Sequence, residues 1–181
     1  LSGNPKYSGA LRGNPADWDV LPKDFVLYCV KFINQWHANY LRRGVDQITI
    51  NGTSKTVVRH KQYVENDELS NLISASLMSN EFPVSVENAE GVKQTCTLLL
   101  TFDSSNKITV STTTEGYTAT GSGTFVPKGE KNSWGNKDRD VVYLNYNITS
   151  NSGVAYATKD TLVVQGRGVK IETFTPLYVS N

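Results

Sequence analysis

The sequence predicts a mainly β protein with a single antiparallel domain, built as a curved sheet or an up-and-down, lipocalin-like barrel of about eight strands. Short runs rich in β-branched and aromatic residues recur along the chain, separated by clusters of Gly, Asn, Asp and Ser. Within these runs apolar and polar residues alternate, which is the period of a strand with one buried face. A two-sheet β-sandwich is the alternative architecture for the same pattern.

The length favours one domain. With 181 residues, of which 38% are hydrophobic, the chain can bury one core but is short for two. Residues 1–23 carry three of the six prolines and no periodicity, which is typical of a linker or an extended lead-in. We therefore place the antiparallel β domain at 24–181.

The first predicted element, residues 24–42, fits two structures. Its apolar side chains follow the i, i+3, i+4 spacing of an amphipathic helix: Phe25, Tyr28, Cys29, Phe32, Ile33, Trp36 and Tyr40. Its many β-branched and aromatic residues, and its continuation into VDQITI, favour a strand. In a strand, Trp36 and Tyr40 share a core-facing side with Asn34 and Ala38. Arg42 and Arg43 then point in opposite directions, so that one of them can pair with a carboxylate.

The remaining strands follow at short intervals. Two candidates are KTVVRHKQYV and NLISASLMSNEFPVSV, and TCTLLLTFD with KITVSTTT forms a predicted hairpin around 104–106. VVYLNYNIT is the clearest strand, because its apolar residues alternate without a break. YTATGSGTFV places Gly121 and Gly123 on one face, where missing side chains allow a bend or a close approach. DTLVVQGRGVKIETFTP predicts a last long strand that bulges at Gly166 and Gly168.

Composition and motifs argue against several functions. A net charge of +1, with both signs scattered, gives no footprint for nucleic acid. His37 and His60 lack metal-ligand spacing, so we expect no metal and no cofactor. Cys29 and Cys96 lie in apolar runs and suit buried hydrophobes, although a disulfide between them stays open. No catalytic motif occurs, and no pair stands out among the carboxylates available for glycoside hydrolysis: Glu130, Asp138, Asp140 and Glu172.

The strongest functional signal is GEKNSWGNKDRD, residues 129–140, a predicted loop with one aromatic residue. Trp134 has no apolar neighbours in this loop, so we expect it to be substantially exposed. An exposed indole beside amide and charged donors suits stacking on a sugar ring. The predicted glycan site consists of Trp134 with four polar neighbours: Asn132, Asn136, Lys137 and Arg139. The alternative is that Trp134 folds back to cap the core.

Several segments resemble a known type of domain: LSGNP, DWDVLPKDFVLYCVKFINQWHANYLRRGVD, TLLLTFD, GEKNSWGNKDRDVVYLNY and DTLVVQGRGVKIETFTP. They are similar to the C-terminal domains of surface glycan-binding lipoproteins from Bacteroidota polysaccharide-utilisation loci, many of which are domains of unknown function. The resemblance implies an N-terminal β-sandwich upstream, of which residues 1–23 are the tail and linker. It also implies a cell-surface location, with outer-membrane anchoring through a lipidated N-terminus absent from this chain.

The resemblance implies a function but carries no catalytic residues. We expect a non-catalytic carbohydrate-binding domain whose partners are a glycan, the upstream domain of the same polypeptide and components of an outer-membrane transporter. A structural spacer that presents a neighbouring domain is the alternative from another class. Glycoside hydrolysis is the third hypothesis.

Overall fold

The protein is mainly β in a computed structural model that describes residues 3–22 and 30–169. Phe32–Val169 form one compact unit, which contains the large sheet. In the other unit, described residues 3–22 pair β1 (Asn4–Pro5) with β2 (Trp18–Val20) around a short 3-10 turn. The described residues contain no α-helix.

The large sheet has nine antiparallel strands. In chain order they are β3 (Ala38–Ile50), β4 (Thr53–Arg59), β5 (Glu68–Ser76), β6 (Ser79–Glu87), β7 (Lys93–Phe102), β8 (Lys107–Thr112), β9 (Tyr117–Ser133), β10 (Lys137–Ser150) and β11 (Ala155–Gly166). Because β11 also pairs with β3, eight of them close into a barrel and β4 is an additional strand on β3. The predicted barrel is confirmed.

Strand β3 is the junction of the barrel. One of its edges pairs with β11 along almost its whole length, from Asn39 to Thr49. Its other edge is divided, because β5 pairs with residues 38–42 and β4 pairs with residues 44–50. The two strands therefore separate at Arg43, and this divergence opens the wall of the barrel.

The core fills the barrel interior with inward-facing side chains from every wall strand. Trp36 stacks on Phe102, with ring centroids 3.9 Å apart, and meets Phe125 edge-on at 6.5 Å. The Trp36 carbonyl accepts a 2.8 Å hydrogen bond from the Tyr40 hydroxyl. These contacts confirm that Trp36 and Tyr40 belong to the core.

The opening stretch differs from both predicted structures. Residues 30–37 are irregular and β3 begins at Ala38, so the strand predicted for this part is wrong; residues 23–29 lie outside the described residues. The side-chain oxygen of Asn34 accepts hydrogen bonds from the backbone N–H groups of Trp36 and His37, at 3.2 and 3.0 Å. This Asx-type turn ends extended structure locally, because the side chain replaces a strand partner.

Most later predictions hold. Strands β10 and β7–β8 lie where the alternation placed them, with the β7–β8 turn at residues 103–106. The last strand shows the predicted bulge, between Val164 and Gly166. It ends at Gly166 rather than continuing through Gly168, and residues 170–181 lie outside the described part of the chain.

Gly121 and Gly123 let β9 approach β10 closely, which is the close approach predicted for these glycines. A Cβ atom on Gly123 would lie 2.3 Å from the Tyr143 carbonyl oxygen and 2.6 Å from a methyl group of Leu144. No atom lies within 4 Å of the corresponding position on Gly166. Gly123 and Gly166 thus differ in the space around them, and neither has a positive φ angle.

We expect Gly123→Ala to lower the free energy of unfolding by about 1–3 kcal/mol, because the wall must shift to admit the methyl group. Gly166→Ala is the matched control and should change it by less than about 0.5 kcal/mol. Urea unfolding followed by tryptophan fluorescence measures both. Equal effects of the two substitutions would contradict the close approach of β9 and β10.

Candidate functional site

The loop predicted for 129–140 is mostly wrong, because β9 extends to Ser133 and β10 begins at Lys137. The tip of the β9–β10 hairpin is the 3-10 turn Trp134–Asn136, and its own sequence shapes it. Asn132, Gly135 and Asn136 adopt positive φ angles of 44°, 70° and 53°, and Asn and Gly are the residues that tolerate this region best. The Asp138 carboxylate accepts hydrogen bonds from the Asn132 N–H at 3.1 Å and from the Lys131 ammonium at 3.0 Å. The turn is therefore defined by its own residues.

Trp134, at this tip, is half-buried. Its indole N–H donates to the Val164 carbonyl at 3.1 Å, and its ring packs against an outer cluster formed by Leu41, Val141 and Val163. The Arg139 guanidinium lies 3.9 Å from the ring centroid and donates to the Trp134 carbonyl at 3.3 Å. The expectation that Trp134 is substantially exposed is wrong, because neighbouring strands supply the apolar surface that its loop lacks.

A cleft of about 300 Å³ lies between this tip and residues 62–65. It brings together three of the predicted site residues, Asn132, Trp134 and Asn136. Arg139 lies against the indole and Lys137 is exposed, and neither lines the cleft. The sequence analysis missed the opposite wall, which consists of Arg43, Gln62, Tyr63, Val64 and Glu65. Tyr63, which is 56% exposed, gives the cleft a second aromatic side chain.

A second polar site lies inside the barrel. Arg42 and Asp46 project inward from β3, Arg59 comes from β4, and Asp160 comes from β11, each at a position that alternation directs to the interior. We call these four residues the lumenal cluster. A cavity of about 320 Å³ adjoins it.

In the lumenal cluster Arg59 hydrogen-bonds to both aspartates, whereas Arg42 hydrogen-bonds to Asp160. Asp160 Oδ2 accepts from Arg42 Nε at 3.0 Å, and Asp160 Oδ1 accepts from Arg59 Nη2 at 2.6 Å. Asp46 accepts two bonds from Arg59, at 2.6 and 2.9 Å. The Tyr146 hydroxyl donates to Asp160 Oδ2 at 2.9 Å and accepts from Arg42 at 3.1 Å. Such bidentate, charge-assisted bonds hold both guanidinium groups in fixed orientations.

Gly44 makes room for these bonds. It lies on the inner face of β3 between Arg42 and Asp46, and a Cβ atom there would lie 2.3 Å from Asp160 Oδ1 and 3.0 Å from Arg59 Nη2. Any side chain would therefore occupy the position of the Arg59–Asp160 contact. The glycine is needed for space, since its φ is not positive.

Burial and charge act in opposite directions on Asp46. Burial favours the protonated acid, but the hydrogen bonds and charge of Arg59, together with the Thr158 hydroxyl, outweigh it and hold the pKa of Asp46 below its usual value of 3.8. Burial and the Asp160 charge raise the pKa of Tyr146, which stays protonated as a donor. Asp46 is therefore ionised and paired with Arg59 at neutral pH.

Comparison with protein families assigns the fold to a family. Residues 35–168 match DUF5627, a domain of unknown function. The chain belongs to the DUF5627 family. The match spans β3 to β11 and so includes both the cleft and the lumenal cluster. No curated protein matches the chain significantly.

A solved structure shares the fold of this DUF5627 chain. It is a structural-genomics protein of unknown function from Bacteroides ovatus, determined at 2.40 Å resolution, which is 42% identical and superposes with a TM-score of 0.88. The alignment covers 94% of this chain and 54% of that protein. The chain thus spans about half the length of the protein that it resembles.

Metal ligation, membrane-spanning helices and the cysteines are the remaining features of the sequence analysis. Within residues 3–22 and 30–169, no group of three or more His, Cys, Asp or Glu side chains is placed to hold a metal ion. No helix in the same ranges is long and apolar enough to cross a membrane. Cys96 is a buried free thiol, whereas Cys29 lies outside the described residues.

The lumenal cluster was only partly foreseen. The prediction that Arg42 and Arg43 diverge and that one meets a carboxylate is confirmed, since Arg42 pairs with Asp160 and Arg43 pairs with Asp67. The available signal was that Arg42 and Asp46 share the period-two face of Tyr40 and other core residues. Charges on a core face indicate a buried ion pair, but not its partner strands.

We expect Trp134→Ala to lower the free energy of unfolding of the DUF5627 domain by about 1–3 kcal/mol, because the indole covers the outer cluster and its N–H is hydrogen-bonded. Tyr63→Ala, which removes an exposed ring from the same cleft, should leave stability almost unchanged. Thermal and urea unfolding test the difference. Equal stability of the two variants and the wild type would show that Trp134 does not cap the barrel.

The lowered pKa of Asp46 predicts a pH dependence. A carboxyl whose pKa is depressed by folding stabilises the folded state fully above its unfolded pKa, and this contribution is lost as pH falls through the folded pKa. Stability should thus decline as pH is lowered below about 5, and Asp46→Asn should make the decline less steep. Asp19→Asn, an exposed change in the other unit, is the control. Parallel wild-type and Asp46→Asn curves would contradict the assignment.

Proposed function

We propose that this DUF5627 domain is a non-catalytic carbohydrate-binding module. The observation that carries the proposal is the cleft in which Trp134 and Tyr63 are combined with the amide side chains of Gln62, Asn132 and Asn136. Aromatic rings stack on the apolar face of a sugar, and amides both donate to and accept from its hydroxyl groups. A cleft that offers both kinds of contact suits a neutral glycan.

The two aromatic residues contribute unequally. Part of the Trp134 indole is occupied by the barrel surface and by Arg139, so it presents less area to a ligand than a free ring would. Tyr63 is 56% exposed, so more of its ring is accessible to a ligand than that of Trp134. We therefore assign the principal stacking contact to Tyr63, with Trp134 as the fixed floor of the cleft.

The carboxylates support binding rather than hydrolysis. Glycoside hydrolysis requires two carboxyl groups that face the scissile bond, and Glu65 is the one carboxylate among the cleft's lining residues. The earlier candidates are engaged elsewhere: Glu130 with Tyr143, Asp138 with Lys131 and Asp140 with the Lys128 N–H. Glu172 lies outside the described residues.

The setting we propose is a cell-surface lipoprotein of a glycan-utilisation system, anchored at the outer membrane through a lipidated N-terminus on an upstream domain. The Bacteroides relative, which is nearly twice as long as the segment it shares with this chain, supports a multidomain arrangement. Its partners would be the glycan, the upstream domain and components of an outer-membrane transporter.

A structural spacer is the second candidate. The half-buried Trp134 favours it, because the indole seals the wall of the barrel and would do so without any ligand. A spacer would present a neighbouring domain, and its cleft would bind no sugar. The two functions therefore differ in a single measurable property.

Tyr63→Ala should weaken glycan binding by about 1–2 kcal/mol while leaving the melting temperature unchanged. A glycan array with the wild-type chain first identifies the ligand, and calorimetry then compares the variants. Asn136→Gly, which removes an amide but suits the positive φ, should also reduce affinity. Tyr143→Ala, outside the cleft, is the control. Absence of array binding, or equal affinity in all variants, would favour the spacer.

A further inference from the structure

We propose a second site, in the divergence between β4 and β5, that binds the carboxylate group of a small acidic molecule. The Nη1 groups of Arg42 and Arg59 donate to this carboxylate, which displaces the Glu68 carboxylate from them. The site is separate from the glycan cleft and does not depend on the proposed carbohydrate function.

In both arginines the terminal nitrogen Nη1 makes no hydrogen bond to the aspartates of the lumenal cluster. The aspartates of the lumenal cluster take Nε and Nη2 of both guanidinium groups, and these bonds fix the planes of the two side chains. No acceptor among the described residues lies within hydrogen-bonding distance of the buried Arg59 Nη1. A buried guanidinium N–H without an acceptor is costly, so this end of Arg59 favours an additional anion.

Glu68 marks the position that such an anion would take. Its two carboxylate oxygens lie 3.6 Å from Arg42 Nη1 and 3.9 Å from Arg59 Nη1. One oxygen thus faces each guanidinium group, which is the arrangement of a bridging carboxylate, but both distances exceed those of a hydrogen bond. Glu68 belongs to β5, whose backbone is held in register with Arg42, and this limits its reach.

The position is open to solvent. Arg42, Arg59 and Glu68 line a cleft of about 300 Å³ at the divergence of β4 and β5, together with Val58, His60, Lys61 and Asp67. The Glu68 side chain is 50% exposed, whereas that of Arg42 is 6% exposed. Glu68 can therefore turn outward at little cost while the arginines stay in place. A free carboxylate can then approach both Nη1 groups at full hydrogen-bonding distance.

The free donors around the cleft favour an anion once Glu68 moves, although the charges of Arg42 and Arg59 are already balanced by Asp160 and Asp46. Lys61 adds a positive charge at the rim, and His60 adds a further polar ring. Asp67, the other carboxylate in the lining, is already paired with Arg43 at 2.6 Å and with the Lys61 N–H at 2.7 Å. The arginines are thus the donors left for a ligand. A planar carboxylate fits two donors that Glu68 already bridges, and phosphate should bind less well.

The test is an NMR titration of the full chain with D-glucuronate, using D-glucose and inorganic phosphate as comparison probes. Glucuronate should shift the side-chain Nε–H signals of Arg42 and Arg59, and glucose should not. Glu68→Gln removes the competing charge and should tighten glucuronate binding by about tenfold, since charge-assisted bonds replace a long contact. Glu81→Gln, the same change at an exposed position on β6, is the matched control and should bind like the wild type.

Two further measurements make the outcome decisive. Arg59→Lys keeps the charge but loses the forked donor, so glucuronate binding should fall although circular dichroism shows a folded barrel. Tyr63→Ala should leave glucuronate binding unchanged, which separates this site from the glycan cleft. The proposal is overturned if glucuronate shifts neither arginine in the wild type or in Glu68→Gln. It is also overturned if glucose or phosphate binds Glu68→Gln equally well, or if Glu81→Gln tightens binding as much.

Discussion

The pairing of four charges, three of them buried and that of Arg59 partly buried, links the strands at the seam where this barrel closes. Arg42 and Asp46 on β3, Arg59 on β4 and Asp160 on β11 connect the strands that meet at the closing seam. Replacing such a network by apolar residues can be neutral or stabilising, but removal of one partner leaves an uncompensated buried charge and costs about 3–5 kcal/mol. Because an unpaired charge in the core is costly, the network favours the pairing of β11 with β3 over pairings that separate these groups.

This constraint also explains the irregular features near the seam. Gly44 is required because a side chain would occupy the position of the Arg59–Asp160 contact. Arg59 reaches the interior because β4 pairs with β3 beyond the point where β5 leaves β3. The divergence of β4 and β5 also opens the wall beside Glu68. The fold therefore places charged groups, a cavity and a solvent opening together. The outer cluster under Trp134 seals another part of the wall, so that the hairpin tip is at once a structural cap and one side of a cleft.

Both proposed sites of this DUF5627 domain lie where the barrel departs from regular alternation. The cleft forms where a long hairpin tip folds over the outer surface and meets the segment between β4 and β5. The acidic-ligand site forms where two strands share one edge of β3. The proposed acidic-ligand site takes its arginines from strands, which hold them in fixed orientation, as binding sites generally require. The cleft is instead lined mainly by the hairpin tip and by residues 62–65 between β4 and β5. The regular strands β6 to β8 contribute mainly core and wall.

The sequence by itself determined the β class, the β7–β8 hairpin and the core position of Tyr40, because period-two alternation and turn residues are local properties, and it left the barrel and the sandwich as alternatives. It also placed Asn132, Trp134 and Asn136 at one turn. Tertiary structure alone decided that Trp134 is half-buried, since the surface beneath it comes from strands distant in sequence, including Leu41 and Val163. The same holds for Tyr63 across the cleft and for the partners of Arg42 and Arg59. Local pattern shows which face a side chain occupies, whereas strand order and register decide which side chain it meets.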